Sequence, residues 1–165
     1  MDLPTLPPRS HRPPRRVVLL RHDPEDPAIP AHFDLLLEPE SPAGDDIRDV
    51  PTWRCDRRPD LLTVGESASL TAIAPHRRGW LNRPPGEVVE LTPPLGTARV
   101  VARGDLLATR EDRDEDRDQN RIDARVRWSG DIHPVEIRIE GARLMRLAPP
   151  PVAGGVCRPG AESCC

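Results

Sequence analysis

The sequence has no apolar run approaching the about 20 residues that a membrane-spanning helix requires. Its first residues also lack the apolar segment of a secretory signal, so we expect a cytoplasmic protein with no membrane partner. A chain of 165 residues is too short for a large multidomain enzyme and fits one small domain.

Lysine is absent, so all 24 basic residues are arginines, and the 27 acidic residues give a formal net charge of −3. A protein that coats a nucleic-acid duplex needs an excess of basic residues. Because acidic residues outnumber basic ones here, the charge balance argues against such a protein. Any contact with nucleic acid must therefore be local. Aromatic residues make up only 2% of the chain, so the core has few large side chains.

Cysteine is scarce, and the four cysteines show no CxxC or zinc-knuckle spacing. They are interpreted as reduced, incidental thiols: Cys55, Cys157, Cys164 and Cys165. The sequence also contains no internal repeat, dinucleotide-binding glycine motif, P-loop or nucleophile elbow. The sequence therefore carries none of the best-known motifs of nucleotide-binding proteins or of serine hydrolases.

Proline is abundant, with 22 residues, and it argues against long helices because it lacks the N–H that a helix interior needs. Proline-rich composition predicts a flexible arm over residues 1–15 and a flexible tail over 148–165. The folded domain is expected over residues 16–147.

Within that domain the apolar residues form short runs bounded by proline, glycine and aspartate, which is typical of β-strands. The runs at residues 122–128 and 135–140 show the clearest alternation, with Trp128 among the inward-facing residues. We predict an all-β domain, a small closed or nearly closed antiparallel β-barrel, because closure removes exposed strand edges. The predicted strands cover residues 16–21, 32–38, 69–74, 87–91, 98–103, 122–128 and 135–140.

Residues 110–121 read REDRDEDRDQNR and begin with nine consecutive charged residues. Adjacent carboxylates without an apolar anchor do not hold a fixed geometry, so this segment is predicted to be a solvated hairpin loop rather than a metal site.

The segment from His22 to Glu38 carries the residues with chemical potential. In a strand, His32, Asp34 and Leu36 share one face. Phe33, Leu35 and Leu37 form the other face, which is apolar. An imidazole and a carboxylate two residues apart can reach one divalent ion, and His22 can supply a third ligand. The alternative is that these are ordinary solvent-facing polar residues.

The pattern HD…HFDLLLE resembles the signature HD…HYDLRLE of the 3′-phosphoesterase domain of bacterial DNA ligases of the ligase D type. Further matches follow in the family order across residues 16–147. They are Trp53, His76 with Trp80, the glycines Gly96 and Gly104, and the closing Gly141, Arg143 and Leu144.

This resemblance implies that His22, His32 and Asp34 hold manganese or zinc. It further implies that His76 is a catalytic, phosphate-contacting histidine with Arg77 and Trp80 beside it, although His76 as a structural residue remains the alternative. The implied activity is the processing of DNA or RNA 3′ ends in repair. A separate DNA ligase or end-joining protein would be the partner of this stand-alone, diverged relative.

Departures from the family pattern leave a second hypothesis open, a non-catalytic β-barrel module that binds nucleic-acid ends or a protein. Leu36 stands where the family has a phosphate-binding arginine, which Arg21, Arg77 or Arg78 would have to replace. If that loss abolished activity, Leu36→Arg would restore it. Three prolines lengthen the interval between His22 and His32, which leaves open that His22 is displaced from the other ligands.

Overall fold

The computed structural model describes residues 13–114 and 119–149. Nine β-strands run through them: β1 Arg15–Asp23, β2 His32–Leu37, β3 Arg48–Cys55, β4 Ser67–Arg77, β5 Val88–Glu90, β6 Thr97–Asp114, β7 Gln119–Trp128, β8 Val135–Glu140 and β9 Arg143–Leu147. Two short 3-10 helices accompany them, η1 over Pro59–Leu61 and η2 over Arg78–Asn82. The predicted arm and tail, with Cys157, Cys164 and Cys165, lie almost entirely outside the described residues.

All strands belong to one antiparallel sheet in the order β1-β2-β3-β4-β9-β8-β7-β6-β5. An additional pairing of β1 with β6 closes eight of the strands into a ring, while β5 attaches to the edge of β6. The predicted all-β, antiparallel class is confirmed. Among the described residues, no helix has the length and apolar character needed to traverse a lipid bilayer.

The structure differs from the predicted strands at β3 and at residues 110–121. β3 is not among the predicted strands, and Pro51, which cannot donate to a sheet, interrupts its pattern. The predicted loop over residues 110–121 is largely strand, since β6 continues to Asp114 and β7 begins at Gln119. Ion pairs offset the like charges there: Arg121 Nη2 lies 2.5 Å from Asp112 Oδ2, and Arg110 Nε lies 3.2 Å from Asp112 Oδ1.

The inner cluster of apolar side chains fills the ring and draws on all eight of its strands. It includes the alternating residues of β7 and β8 that the sequence predicted, with Trp128 buried and Trp53 packed against it. The buried members are Val17, Leu19, Leu35, Leu37, Cys55, Leu62, Ala68, Leu70, Leu106, Ala124, Val126, Trp128, Ile137, Ile139 and Leu144.

The outer cluster lies on the opposite face of β1, β2, β3 and β6 and is covered by η2. Its buried members are Val18, Leu20, Leu36, Val50, Leu81 and Val100, with Trp80 packed against them. The alternation predicted that the face with His32 and Asp34 is not apolar. Part of that face is nevertheless apolar, because Leu36 belongs to the outer cluster. Leu36 on that face is 0% exposed, because η2 shields it from water.

Buried and half-buried arginines hold η2 in place. Arg78 is 4% exposed, and its Nε and Nη2 donate to Asp49 Oδ1 and Oδ2 at 2.7 Å each. Arg16 and Arg103 both donate to the carbonyl oxygen of Leu81, at 3.3 and 2.5 Å. Arg78 is thus committed to this bidentate pair rather than free to bind a phosphate.

The turn before β6 requires glycine at position 96 and supports the end of β1. Gly96 has φ +76°, and a Cβ there would lie 2.2 Å from the carbonyl oxygen of Asp23, next to His22. Gly96→Ala should therefore lower the free energy of unfolding by about 3 kcal/mol, from left-handed strain and a backbone clash together. Urea denaturation measures this loss.

Gly86→Ala is the matched control for Gly96→Ala. Gly86 has φ +84°, but a Cβ there would meet nothing within 4 Å. Its substitution should cost only the left-handed strain, about 1 kcal/mol. Equal losses in the two variants would show that the close approach to Asp23 is unimportant.

Candidate metal and phosphate site

The hairpin of β1 and β2 places two imidazoles side by side. His22 is the direct cross-strand neighbour of His32, and Leu20 is the neighbour of Asp34. The two imidazole rings stack with centroids 5.1 Å apart and planes 4° from parallel. His22 is therefore not displaced, because the sheet pairing continues through this pair and the extra prolines lie in the loop beyond it.

Asp34 is the centre of the site and is 1% exposed. Its Oδ2 lies 3.0 Å from His22 Nε2 and 3.3 Å from His76 Nε2. His76 comes from β4, two strands away, where the pairing with β3 is irregular on both sides of Val50. Its ring meets that of His22 nearly edge-on, at 87° and 6.2 Å between centroids. Three imidazoles thus surround one buried carboxylate.

Backbone carbonyl groups orient two of these imidazoles. Nδ1 of His32 lies 3.3 Å from the carbonyl oxygen of Pro30, and Nδ1 of His76 lies 3.3 Å from that of Ala74. When Nδ1–H of His32 donates to the carbonyl oxygen of Pro30, the lone pair of the neutral ring resides on Nε2, which is the potential ligand atom of His32. Nε2 of His76 lies 3.3 Å from Asp34 Oδ2.

The electrostatics of the site favour an ionised acid beside neutral histidine. Burial acts to raise the pKa of Asp34, but the contacts with His22 and His76 outweigh it and hold that pKa well below its usual range. Burial is also the main reason why the pKa of His32 is lowered from its ordinary value, so His32 is neutral at neutral pH.

His22, His32 and Asp34 fit a divalent ion. Their candidate ligand atoms all lie within 4.8 Å of one another. His22 Nε2, His32 Nε2 and Asp34 Oδ1 are buried without a hydrogen-bond partner, and the close His22–Asp34 contact lacks hydrogen-bond geometry. Buried polar atoms without partners are costly, so an ion that satisfied them would stabilise this arrangement. Two imidazoles and a carboxylate suit manganese or zinc.

Arg54 is a site residue that the sequence interpretation missed. It is the cross-strand neighbour of Asp34 on β3, and its Nε lies 3.8 Å from Asp34 Oδ1. Its side chain is 49% exposed, so the guanidinium lies at the solvent side of the buried carboxylate. The signal was present in PTWRC, but without β3 as a predicted strand the register of Arg54 could not be assigned.

Among the described residues, the others predicted to bind phosphate make no hydrogen bond or ion pair with Asp34. Trp80 packs on the outer cluster, with the guanidinium carbon of Arg83 5.3 Å from the centroid of its ring. Arg77 is exposed at the end of β4. Arg21 pairs with Asp23, at 2.9 Å between Nη2 and Oδ1. Of the three possible replacements for the family arginine, Arg21 and Arg78 have carboxylate partners, whereas Arg77 has none among the described residues. Arg54, which was not among the three, borders Asp34.

These features define an all-β protein with a histidine–aspartate site on the outer face of its strand ring. No protein-family model, curated protein or solved structure matches the chain. The likeness to the 3′-phosphoesterase domain of ligase D therefore consists of the residues quoted above and their order.

Proposed function

We propose that the protein is a divalent-metal-dependent 3′-phosphoesterase with a small closed β-barrel, acting on 3′ ends of DNA or RNA in repair. The observation that carries this proposal is the convergence of three imidazoles, from β1, β2 and β4, on the buried carboxylate of Asp34. A site built from three separate strands is more than the polar face of one hairpin.

The ligands in this proposal are His22, His32 and Asp34. A bound divalent ion would neutralise phosphoryl charge and lower the pKa of a water molecule. Asp34 contributes the negative charge that holds the cation, and neutral His32 contributes an unprotonated nitrogen. His76 and Arg54 border Asp34 and would contact the phosphate. Arg54 would donate hydrogen bonds to phosphoryl oxygens in place of the guanidinium absent at Leu36.

The proposed reaction is hydrolysis of a 3′-phosphate monoester. Water attacks phosphorus, the bond between phosphorus and the 3′-oxygen breaks, and one proton of the water ends on that oxygen, which becomes a hydroxyl. The products are inorganic phosphate and a 3′-hydroxyl end, which is what a separate DNA ligase or end-joining protein would require.

The decisive experiment measures phosphate release from an oligonucleotide with a 3′-phosphate, with added manganese and with a chelator. We expect manganese-dependent release by the wild type and none above background by His32→Ala. His133→Ala is the matched control, since His133 is exposed in the loop between β7 and β8 and should be dispensable. Equal release by His32→Ala and the wild type would refute the assignment.

A non-catalytic module that binds nucleic-acid ends is the second candidate function. The observation that favours it is Leu36, which is packed in the outer cluster where the family has a phosphate-binding arginine. Metal binding without turnover of any 3′-blocked end would support this candidate over the phosphoesterase.

A further inference from the structure

Two arginines face each other beside the site without counter-ions. Arg48 on β3 is the direct cross-strand neighbour of Arg77 on β4, and both side chains are exposed. Within residues 13–114 and 119–149, neither has a hydrogen-bond or carboxylate partner. Like charges in directly opposed positions destabilise a sheet, so this pair opposes folding unless an anion binds there.

Most other exposed arginines of the described chain lie next to carboxylates. Arg57 pairs with Glu66, Arg125 with Glu136, and Arg127 with Asp105. In a chain whose acids outnumber its bases, two adjacent arginines without such partners stand out. Guanidinium groups suit phosphate oxygens because their fork-shaped donors match the geometry of that anion.

The position of the pair relates it to the site. Arg77 directly follows His76, and Arg48 lies on the same strand as Arg54. The cross-strand pair of Arg48 and Arg77 is the next one along the ladder from the pair of Val50 and His76, so an anion bound between the two arginines would lie close to the site.

We propose that Arg48 and Arg77 form a second phosphate subsite, which binds the internucleotide phosphate next to the terminal one. The bound strand then leaves the site across β3 and β4. This inference rests on the proposed function, because it assumes that Asp34 and its histidines receive the 3′ end. The inference predicts that the protein prefers an oligonucleotide over a single nucleotide, because only the oligonucleotide has an internucleotide phosphate for Arg48 and Arg77.

The test compares wild type, the double variant Arg48→Gln/Arg77→Gln and the control Arg143→Gln. Arg143 is likewise exposed, and its side chain makes no hydrogen bond or ion pair among the described residues. Its cross-strand neighbour is Ser69, at the opposite end of β4. Each protein is assayed on a 3′-phosphorylated oligonucleotide and on a nucleoside 3′-monophosphate. Binding of the labelled oligonucleotide is also followed by fluorescence anisotropy at several salt concentrations.

We expect the double variant to raise KM for the oligonucleotide about tenfold more than it raises KM for the mononucleotide. The slope of log affinity against log salt should fall in magnitude by about 1. The melting temperature should stay equal or rise, because a repulsive pair is removed. Unchanged oligonucleotide KM and salt slope, or equal losses in Arg143→Gln, would overturn the subsite. Failure of the wild type to hydrolyse either substrate would instead count against the proposed function, and the anisotropy measurement would still decide the subsite.

Discussion

Asp34→Asn is expected to abolish phosphate release, with a loss of at least about a thousandfold, or about 4 kcal/mol of transition-state stabilisation. Among the residues that the structure describes, this carboxylate is the only anionic group in contact with both His22 and His76. An amide is close in size but carries no charge, so it cannot neutralise a divalent ion or hold the histidines electrostatically. Turnover and calorimetric titration with manganese should both show the loss.

Asp105→Asn serves as the control for this variant. Asp105 is also paired with an arginine, at 2.7 Å between Oδ2 and Arg127 Nη2, but the pair is solvent-exposed and outside the site. Its substitution should leave manganese binding and turnover unchanged, since exposed ion pairs contribute little. An Asp34→Asn protein that binds manganese and releases phosphate as the wild type does would remove Asp34 from the proposed chemistry.

Leu36→Arg is expected to destabilise the protein by about 4 kcal/mol rather than to restore a lost phosphate contact. Leu36 is 0% exposed within the outer cluster, beneath Leu81 of η2. A guanidinium placed there would be buried among aliphatic side chains. The carboxylates two residues away on either side, Asp34 and Glu38, already have partners. This loss is a large share of the about 5–15 kcal/mol that stabilises a typical domain, and urea denaturation would measure it.

The control for Leu36→Arg is Leu107→Arg on β6. Leu107 is 40% exposed, so its replacement should change the free energy of unfolding by no more than about 0.5 kcal/mol. A Leu36→Arg protein that was as stable as the wild type and hydrolysed 3′-phosphates faster would show that the arginine reaches the site. The sequence-based expectation that an arginine at position 36 restores activity would then be right.

Strand prediction succeeded where alternation was uninterrupted. β8 covers the residues that the sequence predicted, and the inward positions of β7 and β8 lie in the inner cluster. It failed for β3, where Pro51 breaks the pattern, and that failure concealed Arg54. It also failed for the charged hairpin, because cross-strand ion pairs form only after the two strands have been brought together.

The site was predicted in part. Residues His32 and Asp34 share a face because they are two positions apart on one strand, a local relation that the sequence contains. The pairing of His22 with His32 depends on where the hairpin loop begins, which the prolines obscured. The contact of His76 with Asp34 depends on β3 lying between β2 and β4 and on the irregular pairing around Val50.

The sequence by itself determined the all-β class, the alternating core strands and the candidate ligands, because a side-chain period of two residues is a property of the local chain. Only the tertiary structure decided that eight strands close into a ring, that η2 buries Leu36, and that Arg54 and His76 border Asp34. Those outcomes depend on pairings between residues far apart in the chain. Such pairings form because they bury apolar surface across the whole domain, and no short stretch of sequence contains a pattern that predicts them.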